Sequence, residues 1–347
     1  MKAIVKTKLG KGNLELKEVP IPNYKDSEVL IKVKAMGICG SDILIYKGEF
    51  NTNVPIILGH EFSGEIVDIG NNVNHFKVGD RVASELNVQS CGWCSDCRKG
   101  DFHLCSNRKA PGIHMNGVFA EYVALPEFIL HRIPDNLSYE EGAVMEPAAV
   151  AAHGVIERAG IHPEDVVAII GCGNLGLLSL QIAKNYGAKK VIISGTNKDV
   201  KVKFPKAMEL GADYVINIDE HNIREAVDEI TGGKGADLVI ECAGNERAVD
   251  DAIDIVRKNG RLCTMGMPGE RSIPVPWKKA VFKNIDLKFS YSSSASSWNM
   301  VSSMLERCII STKPLITHKE RFENYLNILE NKNDGDFIIG TDFSRYT

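Results

Sequence analysis

Residues 166–176 read Val-Val-Ala-Ile-Ile-Gly-Cys-Gly-Asn-Leu-Gly. The five apolar residues Val166–Ile170 predict a strand that is buried on both faces of a sheet. Glycines then follow at positions 171, 173 and 176, in the pattern G-x-G-x-x-G, and residues 175–186 have the apolar periodicity of a helix. A strand, a glycine-rich turn and a helix in this order predict a βαβ unit of a parallel sheet.

Strands and helices continue to alternate after this unit. We predict strands at 191–193, 214–217, 237–241, 261–265 and 285–289, and helices at 203–210, 223–230 and 248–256. An alternation of this kind is typical of an α/β fold with a doubly wound parallel sheet.

The chain on either side of this region has a different pattern. Residues 1–150 contain short β-rich runs separated by glycine and asparagine turns, for example 28–34, 62–69 and 80–83, which predicts a compact all-β unit. Beyond residue 290 we predict a helix at 298–309, a strand at 315–317, a helix at 322–329 and a last strand at 337–340. A tail of about fifty residues is too short for a domain of its own, so we expect it to pack on the N-terminal unit.

Composition narrows the class of protein. The 347 residues are 44% hydrophobic and 25% charged, which excludes a disordered or collagen-like chain. A formal net charge of −4 gives no broad attraction to nucleic acid or to anionic lipid. Apolar stretches such as 166–170 and 176–180 are far shorter than the roughly 18 residues of a membrane helix. Residues 1–6 lack the apolar run of a signal peptide, so we expect a cytoplasmic protein that acts on a small molecule.

The glycine-rich turn indicates a dinucleotide site. Gly171 permits the tight turn, Gly173 lets the backbone approach a pyrophosphate, and Gly176 lets the helix lie close to the strand. The N-terminus of that helix, at Asn174 and Leu175, offers N–H groups and partial positive charge to the phosphates.

The part of this site that would contact the ribose does not distinguish NAD from NADP. NAD-selective folds usually carry an acidic residue about 20 positions on, at the tip of the second strand. Here that place is taken by Gly195, followed by Thr196 and Asn197, which can hydrogen-bond either a hydroxyl group or a phosphate. Lys198 favours NADP if it faces the cofactor, and is otherwise a solvated turn residue. We therefore expect NAD or NADP.

Four cysteines lie within fifteen residues, in a segment at about 88–106: Cys91, Cys94, Cys97 and Cys105. Four thiolates with this spacing predict a closed structural zinc site that fixes a loop with little core of its own. Disulfides are an alternative that needs an oxidising compartment. An iron–sulfur cluster is a second alternative, because iron also takes four thiolates.

Three short segments each combine a metal-ligand residue with a glycine or proline turn: Gly37–Asp42, Gly59–Glu61 and Met145–Pro147. Cys39, His60 and a carboxylate would hold a catalytic zinc with one open position. Taken singly, the cysteine is explained as a buried small residue, the histidine as a turn residue and Glu146 as a helix-start acid.

Six motifs in this order resemble the zinc-dependent medium-chain alcohol dehydrogenases, and most closely their sorbitol and polyol dehydrogenase branch. They are C-G-S-D, G-H-E, the four-cysteine segment, G-x-F-A-E-Y at 117–122, E-P and G-x-G-x-x-G. The resemblance implies a Rossmann domain at 153–290 and a discontinuous, GroES-like β-rich catalytic domain at 1–152 and 291–347. It also implies two zinc ions per chain.

The resemblance assigns roles to individual residues. Glu146 corresponds to a carboxylate beside the metal, Ser41 to the hydroxyl that contacts the substrate oxygen, and Asp42 to an acid that orients the histidine ligand. The catalytic zinc ligands correspond to Cys39, His60 and Glu61. The implied reaction transfers hydride reversibly from a secondary alcohol of a polyol or sugar alcohol to NAD(P)⁺ and yields the ketose. Alternatives are a sugar-phosphate or other secondary-alcohol dehydrogenase with the same metal site, or a non-catalytic relative that has lost the metal.

Two departures from the family pattern bear on these roles. Residues 43–46 contain no histidine to continue a proton relay beyond Ser41. Phe289-Ser290-Tyr291 lacks the arginine that sorbitol dehydrogenases place between two aromatic residues, so we expect a polyol or sugar derivative other than sorbitol. In the family topology strand 285–289 is an apolar sheet edge, which predicts a homodimer or homotetramer.

Overall fold

A computed structural model describes residues 1–269, 272–325, 328–329 and 338–341. The chain divides into two compact units, Met1–Ala149 with Ser292–Thr347, and Val150–Tyr291. In the part of the chain that the structure describes, no helix is long and apolar enough to cross a membrane.

The first segment of the chain is rich in strands. These are β1 (Lys2–Lys6), β2 (Leu14–Glu18), β3 (Glu28–Gly37), β4 (Ile56–Ile57), β5 (Glu61–Ile69), β6 (Arg81–Ser84), β7 (Tyr122–Pro126) and β8 (Leu130–Arg132). Its helices are α1 (Gly40–Lys47), α2 (Ser95–Lys99), α3 (Tyr139–Ala143) and α4 (Met145–Ala152). The prediction of an all-β unit was therefore wrong in detail, because these short helices carry little apolar periodicity and begin at caps such as Ser138.

Strand β3 is the centre of the first unit. Its side chains alternate between buried and half-buried, as expected for a strand with one face on a core. It pairs antiparallel with β5 and β7, and the sheet continues from β5 through β6 to β8. A second sheet has the order β2-β1-β4. Buried aliphatic residues of both sheets, such as Ile4, Ile31 and Ile66, form one core.

The second unit alternates strands and helices. In chain order they are β9 (Val166–Ile170), α5 (Asn174–Asn185), β10 (Lys190–Gly195), α6 (Lys203–Glu209), β11 (Tyr214–Asn217), α7 (Ile223–Thr231), β12 (Ala236–Glu241), α8 (Glu246–Ile255), β13 (Val256–Thr264), α9 (Trp277–Lys283) and β14 (Asp286–Phe289). They form a parallel sheet with the order β11-β10-β9-β12-β13-β14. This doubly wound α/β arrangement confirms the predicted fold, and β14 lies at the edge of the sheet, as expected.

The C-terminal segment contributes α10 (Ala295–Glu306), β15 (His318–Glu320) and β16 (Ile338–Thr341). Strand β16 pairs antiparallel with β3, with Gly340 opposite Met36, so the chain returns to the first sheet as expected. The predicted strand at 315–317 was wrong. Residues Lys313–Leu315 form a 3₁₀ turn instead, because Pro314 fixes a helical φ at its start. The predictions of a helix at 322–329 and a strand from residue 337 extend beyond the described residues. Phe322–Asn324 forms a 3₁₀ turn, and the described strand begins at Ile338.

Candidate functional site

The pairing of β3 with β5 brings two of the chemical motifs together. Gly37, the last residue of β3, lies opposite Glu61, the first residue of β5. Cys39 follows two residues later as the N-cap of α1, and His60 immediately precedes β5. Two segments that are separated by twenty residues in sequence are therefore neighbours at one end of the sheet.

Gly59 makes the turn that presents His60. Its φ is 85°, a left-handed conformation that side chains with a Cβ adopt rarely. A Cβ at this position would lie 2.1 Å from Cδ1 of Phe119, so the packing excludes a larger residue as well. The glycine in G-H-E is required for the position of the histidine.

Cys39, His60 and Glu61 form a compact cluster of ligand atoms. A sulfur, a ring nitrogen and a carboxylate oxygen from these residues all lie within 4.8 Å of one another. His60 and Glu61 are buried. Oε2 of Glu61 has no hydrogen-bond partner among the described residues, and Nδ1 of His60 faces Oδ1 of Asp42 at 3.8 Å. Buried polar atoms without a partner are costly, so this donor set fits a divalent cation that all three residues would share.

The local charges support the same conclusion. Burial raises the pKa of the Cys39 thiol to about 11, and the charges of Asp42 and Glu146 add to the rise. Burial and the charges of Cys39 and Glu146 raise the pKa of Glu61 well above its usual value. Several buried groups that become anionic when ionised therefore repel one another, and a cation between them would relieve this repulsion.

Glu146 lies outside the three-residue cluster but within its electrostatic field. It is a first-turn residue of α4 and is buried. Burial raises the pKa of its carboxyl group, while the charges of His60 and Arg108 act in the opposite direction. Glu146 is thus a buried carboxylate in the field of the cluster, and it is not among the three residues whose ligand atoms all lie within 4.8 Å of one another.

The N-terminus of α1 positions the other two residues of C-G-S-D. The backbone N–H of Cys39 donates to Oδ2 of Asp42 at 2.9 Å, which caps the helix. The hydroxyl and backbone N–H groups of Ser41 act to lower the pKa of the Cys39 thiol, against the larger effect of burial. Ser41 is half-buried beside the ligand cluster, so its hydroxyl is within the candidate site.

The four cysteines of the 88–106 segment also converge. Their sulfur atoms lie within 4.8 Å of one another. Backbone N–H groups point at the sulfurs: Cys91 donates to Cys105, Cys94 to Cys91 and Cys97 to Cys94, at 3.3–3.4 Å. The sulfurs of Cys91 and Cys97 are 3.9 Å apart, far beyond a disulfide bond, and all four thiols are free. This arrangement fits a tetrahedral metal ion held by four thiolates.

The glycine-rich turn has the geometry that a dinucleotide requires. Gly171 has a φ of 103°, and Gly173 is the N-cap of α5. A Cβ on Gly176 would lie 1.9 Å from the carbonyl oxygen of Gly171, so only glycine permits the helix to begin this close to β9. The N-cap of α5 is a glycine without a side chain that could accept from the first N–H groups of the helix, so those of Asn174 and Leu175 are available to phosphate oxygens.

The tip of β10 carries a feature that the sequence pattern did not indicate. Gly195 ends the strand, and Thr196 and Asn197 follow it. The carboxylate of Asp199 folds back and accepts hydrogen bonds from the backbone N–H of Thr196 at 2.9 Å and from its hydroxyl at 3.1 Å. The N–H of Asn197 donates to Asp219. The sequence could have indicated this contact, since position 199 holds the first acidic residue after the strand.

Arg108 is a second residue that the sequence did not single out. Its Nε donates to Oδ1 of Asn87 at 2.8 Å, and its Nη2 donates to the hydroxyl of Ser292 at 3.0 Å. The pKa values of both His60 and Glu146 are raised, and the charge of Arg108 acts against that rise, so it lies in the field of the ligand cluster. No spacing pattern in the sequence relates an arginine at this position to the metal ligands.

The chain is similar to known dehydrogenases along nearly its whole length. Residues 25–135 match the alcohol dehydrogenase GroES-like domain, and residues 174–308 match the zinc-binding dehydrogenase family. A sorbitol dehydrogenase of Halalkalibacterium halodurans is 41% identical over 92% of each chain. The D-arabitol-phosphate dehydrogenase of Enterococcus avium is 35% identical over 97% of this chain and 96% of its own.

A solved structure gives the same result for the fold. A zinc-binding dehydrogenase of Sinorhizobium meliloti 1021, bound to NADP, superposes with a TM-score of 0.90 at 30% identity. The alignment covers 98% of this chain and 99% of that one. Together with the identities above, this shows that the chain belongs to the zinc-dependent medium-chain dehydrogenases, enzymes that act on alcohol groups.

Proposed function

We propose that this enzyme transfers hydride reversibly from a secondary alcohol of a polyol or sugar alcohol to NAD⁺ or NADP⁺ and yields the ketose. The observation that carries the proposal is the cluster of Cys39, His60 and Glu61, whose ligand atoms lie within 4.8 Å of one another. The glycine-rich turn of the second unit supports the cofactor part of the proposal.

Each residue of the cluster has a proposed role. Cys39, His60 and Glu61 would hold the catalytic zinc, and Glu146 would supply a nearby carboxylate. When bound, zinc polarises the oxygen of an alcohol and lowers its pKa. The hydroxyl of Ser41, half-buried beside Cys39, receives the proton of the substrate hydroxyl. Residues 43–46 of α1 contain no imidazole, so the proton leaves Ser41 through another group or through water.

The second proposed zinc is structural. Cys91, Cys94, Cys97 and Cys105 would hold it with four thiolates, so it would stabilise the segment and bind no substrate. Two zinc ions per chain are therefore expected. The domain boundaries proposed from the sequence, 1–152 with 291–347 and 153–290, assign both metal sites to the β-rich domain and the cofactor site to the Rossmann domain.

The substrate class is proposed from the relatives, whose names include a sorbitol dehydrogenase and a D-arabitol-phosphate dehydrogenase. A specific observation favours a sugar phosphate as the second candidate. The positive charge of Arg108 acts on Glu146 and His60, and an anionic substituent of a substrate in this site would be attracted to it. The absence of an arginine in Phe289-Ser290-Tyr291 argues against sorbitol itself.

The remaining proposals concern assembly and location. The exposed side chain of Phe289 on edge strand β14 supports a homodimer or homotetramer. Free thiols in both ligand sets support a cytoplasmic location, where thiols stay reduced. The net charge of −4 supports neither nucleic acid nor an anionic membrane as a partner.

A substrate panel tests the proposal. C4 to C6 polyols and their phosphates are each incubated with NAD⁺ or NADP⁺, and reduced cofactor is measured by absorbance. Zinc content is measured on the same preparation. Turnover of at least one polyol or polyol phosphate with about two zinc ions per chain supports the proposal. One zinc ion per chain and no turnover would instead support the non-catalytic alternative.

A further inference from the structure

Glu241, the last residue of β12, has a buried carboxylate that lies outside both proposed metal sites and the glycine-rich turn. The residue is 1% exposed. Its Oε1 accepts the backbone N–H groups of Ala243 and Gly244, both at 2.6 Å. Its Oε2 accepts the hydroxyl of Thr264, the last residue of β13, at 2.8 Å. One side chain therefore connects the ends of two neighbouring strands.

The backbone around Glu241 tightens this connection. Its carbonyl oxygen accepts the N–H groups of Met265 and Gly266, at 2.8 and 3.2 Å. A Cβ on Gly266 would lie 2.2 Å from the backbone nitrogen of Gly244 and 2.7 Å from Oε2 of Glu241, so the two loops approach too closely for a side chain there. Residues 242–244 and 265–267 thus form a loop pair packed around one carboxylate.

The loop pair lies at the edge of the sheet where a dinucleotide is expected. The loops after β9, β12 and β13 share the carboxyl edge, because these strands are parallel. A Cβ on Gly171 would lie 3.3 Å from Cβ of Ala243, so the loop after β12 packs against the glycine-rich turn. Ala243 is exposed and Gly244 half-buried, so the outer side of the loop pair is open to a ligand.

The strand order assigns the loop pair to one half of the cofactor. Strands β10 and β11 lie on one side of β9, and β12 and β13 lie on the other. A dinucleotide crosses such a switch point, with one nucleotide on each half of the sheet. The glycine-rich turn and the tip of β10 belong to the half that receives the adenosine, so the loop pair belongs to the half that receives the nicotinamide.

We propose that Glu241 is a positioning residue for hydride transfer, whose carboxylate holds the loop pair in the arrangement that receives the nicotinamide half of the cofactor. The inference rests on the proposed dinucleotide binding of the second unit. A carboxylate suits this role because both of its oxygens accept hydrogen bonds, so one side chain serves donors from two strand ends. The side chain is removed from water, so solvent does not compete for these bonds.

Binding of a whole cofactor and of its adenosine half tests this inference without requiring turnover. Dissociation constants of NADH and ADP are measured by titration calorimetry on the zinc-loaded full chain, for the native protein and for Glu241→Leu. NADPH and 2′-phospho-ADP replace them if the native protein binds NADPH more tightly. We expect the variant to bind the whole cofactor about tenfold more weakly, the scale of one lost hydrogen bond, and ADP within about twofold of the native affinity.

Two milder variants keep the test decisive if Glu241→Leu does not fold. Glu241→Gln keeps an oxygen for the N–H groups of Ala243 and Gly244 and should restore most of the affinity for the whole cofactor. Thr264→Val is nearly isosteric and removes only the hydroxyl that Oε2 accepts. It should weaken binding of the whole cofactor by a smaller factor and leave ADP binding unchanged.

Asp165→Asn is the matched control. Asp165 is also a buried carboxylate, but it lies before β9 at the opposite edge of the same sheet, where it accepts the N–H of His162 at 2.7 Å. The variant should lower the melting temperature and leave the ratio of the two dissociation constants at its native value. A change in this ratio therefore separates positioning from stability.

The outcomes are distinct. Equal weakening of the whole cofactor and of ADP in Glu241→Leu would show a role in stability alone and overturn the inference. An unchanged ratio in Thr264→Val would also overturn it, whether or not Glu241→Leu folds, while leaving the proposed dehydrogenase function intact. Failure of the native, zinc-loaded protein to bind NADH, NADPH or ADP would overturn the proposed function itself.

Discussion

Nδ1 of His60 lies 3.8 Å from Oδ1 of Asp42, and both side chains are buried. Asp42 also accepts the backbone N–H of Cys39 through its other oxygen. One carboxylate thus contacts the segments that carry two of the proposed zinc ligands. Such an acid fixes the orientation of a histidine ligand and the position of a cysteine ligand before the metal arrives.

We expect Asp42→Asn to weaken zinc binding at the catalytic site by about 10- to 100-fold, the range for loss of a partner of a ligating histidine. Zinc retained after dialysis against graded chelator measures the effect, and the four-cysteine site should keep its ion. Asp68→Asn is the control, since Asp68 is exposed and accepts a hydrogen bond from Tyr24. Equal zinc retention in both variants would show that Asp42 acts only as a helix cap.

The two sulfur sites should respond differently to loss of one ligand. Cys39→Ser should abolish turnover and remove one zinc ion per chain while the melting temperature changes little, because the β3–β5 pairing remains. Cys94→Ser should lower the melting temperature and remove the other ion, because its segment has little apolar core. Zinc analysis and thermal unfolding of both variants check this. Identical behaviour of the two variants would mean that the sites are not separate in function.

Gly59→Ala should destabilise the protein and displace His60. The φ of residue 59 is 85°, which is unfavourable for a residue with a Cβ. The added Cβ would also lie 2.1 Å from the ring of Phe119. Gly79→Ala is a matched control, since Gly79 has a φ of 91° but no atom within 4 Å of the added Cβ. Both variants carry a strain of about 1–3 kcal/mol. Denaturant unfolding should show a larger loss for Gly59→Ala, with a loss of zinc only in that variant.

Cys172 should resist alkylation in the folded protein. Burial, followed by the charge of Asp199, raises the pKa of its thiol to about 12. The thiolate is the reactive form, so at pH 8 the reactive fraction is small, and it should rise about tenfold per pH unit as the pH approaches the pKa. Mass spectrometry after brief iodoacetamide treatment should find Cys308, which is exposed, modified first. Modification of Cys172 at pH 8 at the rate of Cys308 would contradict its burial beside Asp199.

Phe289→Lys should weaken self-association. The side chain of Phe289 is 67% exposed on β14, at the edge of the parallel sheet, and a charge on an edge strand opposes pairing with a second copy. Light scattering after size-exclusion chromatography measures the mass. Phe282→Lys is the control, because Phe282 is similarly exposed but lies on helix α9 and not on the edge strand. An unchanged mass in the Phe289 variant would place the interface elsewhere.

Local sequence patterns determined the βαβ unit and the four-cysteine cluster of this protein. A βαβ unit was predicted from the apolar run Val166–Ile170 and the glycines that follow it. Burial of a strand on both faces and a turn without Cβ atoms each depend on only a few adjacent residues, so they can be read from the sequence. The spacing of the four cysteines predicted their cluster for the same reason, since all four lie on one short segment. The sequence did not predict α1 or α9, whose apolar residues follow no clear helical period.

Tertiary structure decided the relationships between distant residues. The register that sets Gly37 opposite Glu61 brings Cys39 to His60, and no local pattern specifies a register between two strands. Arg108 enters the field of Glu146 through long-range packing alone. The tip of β10 shows the difference most clearly. The sequence showed that no acid stands at Gly195, but only the folded loop shows that the Asp199 carboxylate and the Phe204 ring lie against that glycine. The carboxylate returns to the strand through its hydrogen bonds to Thr196.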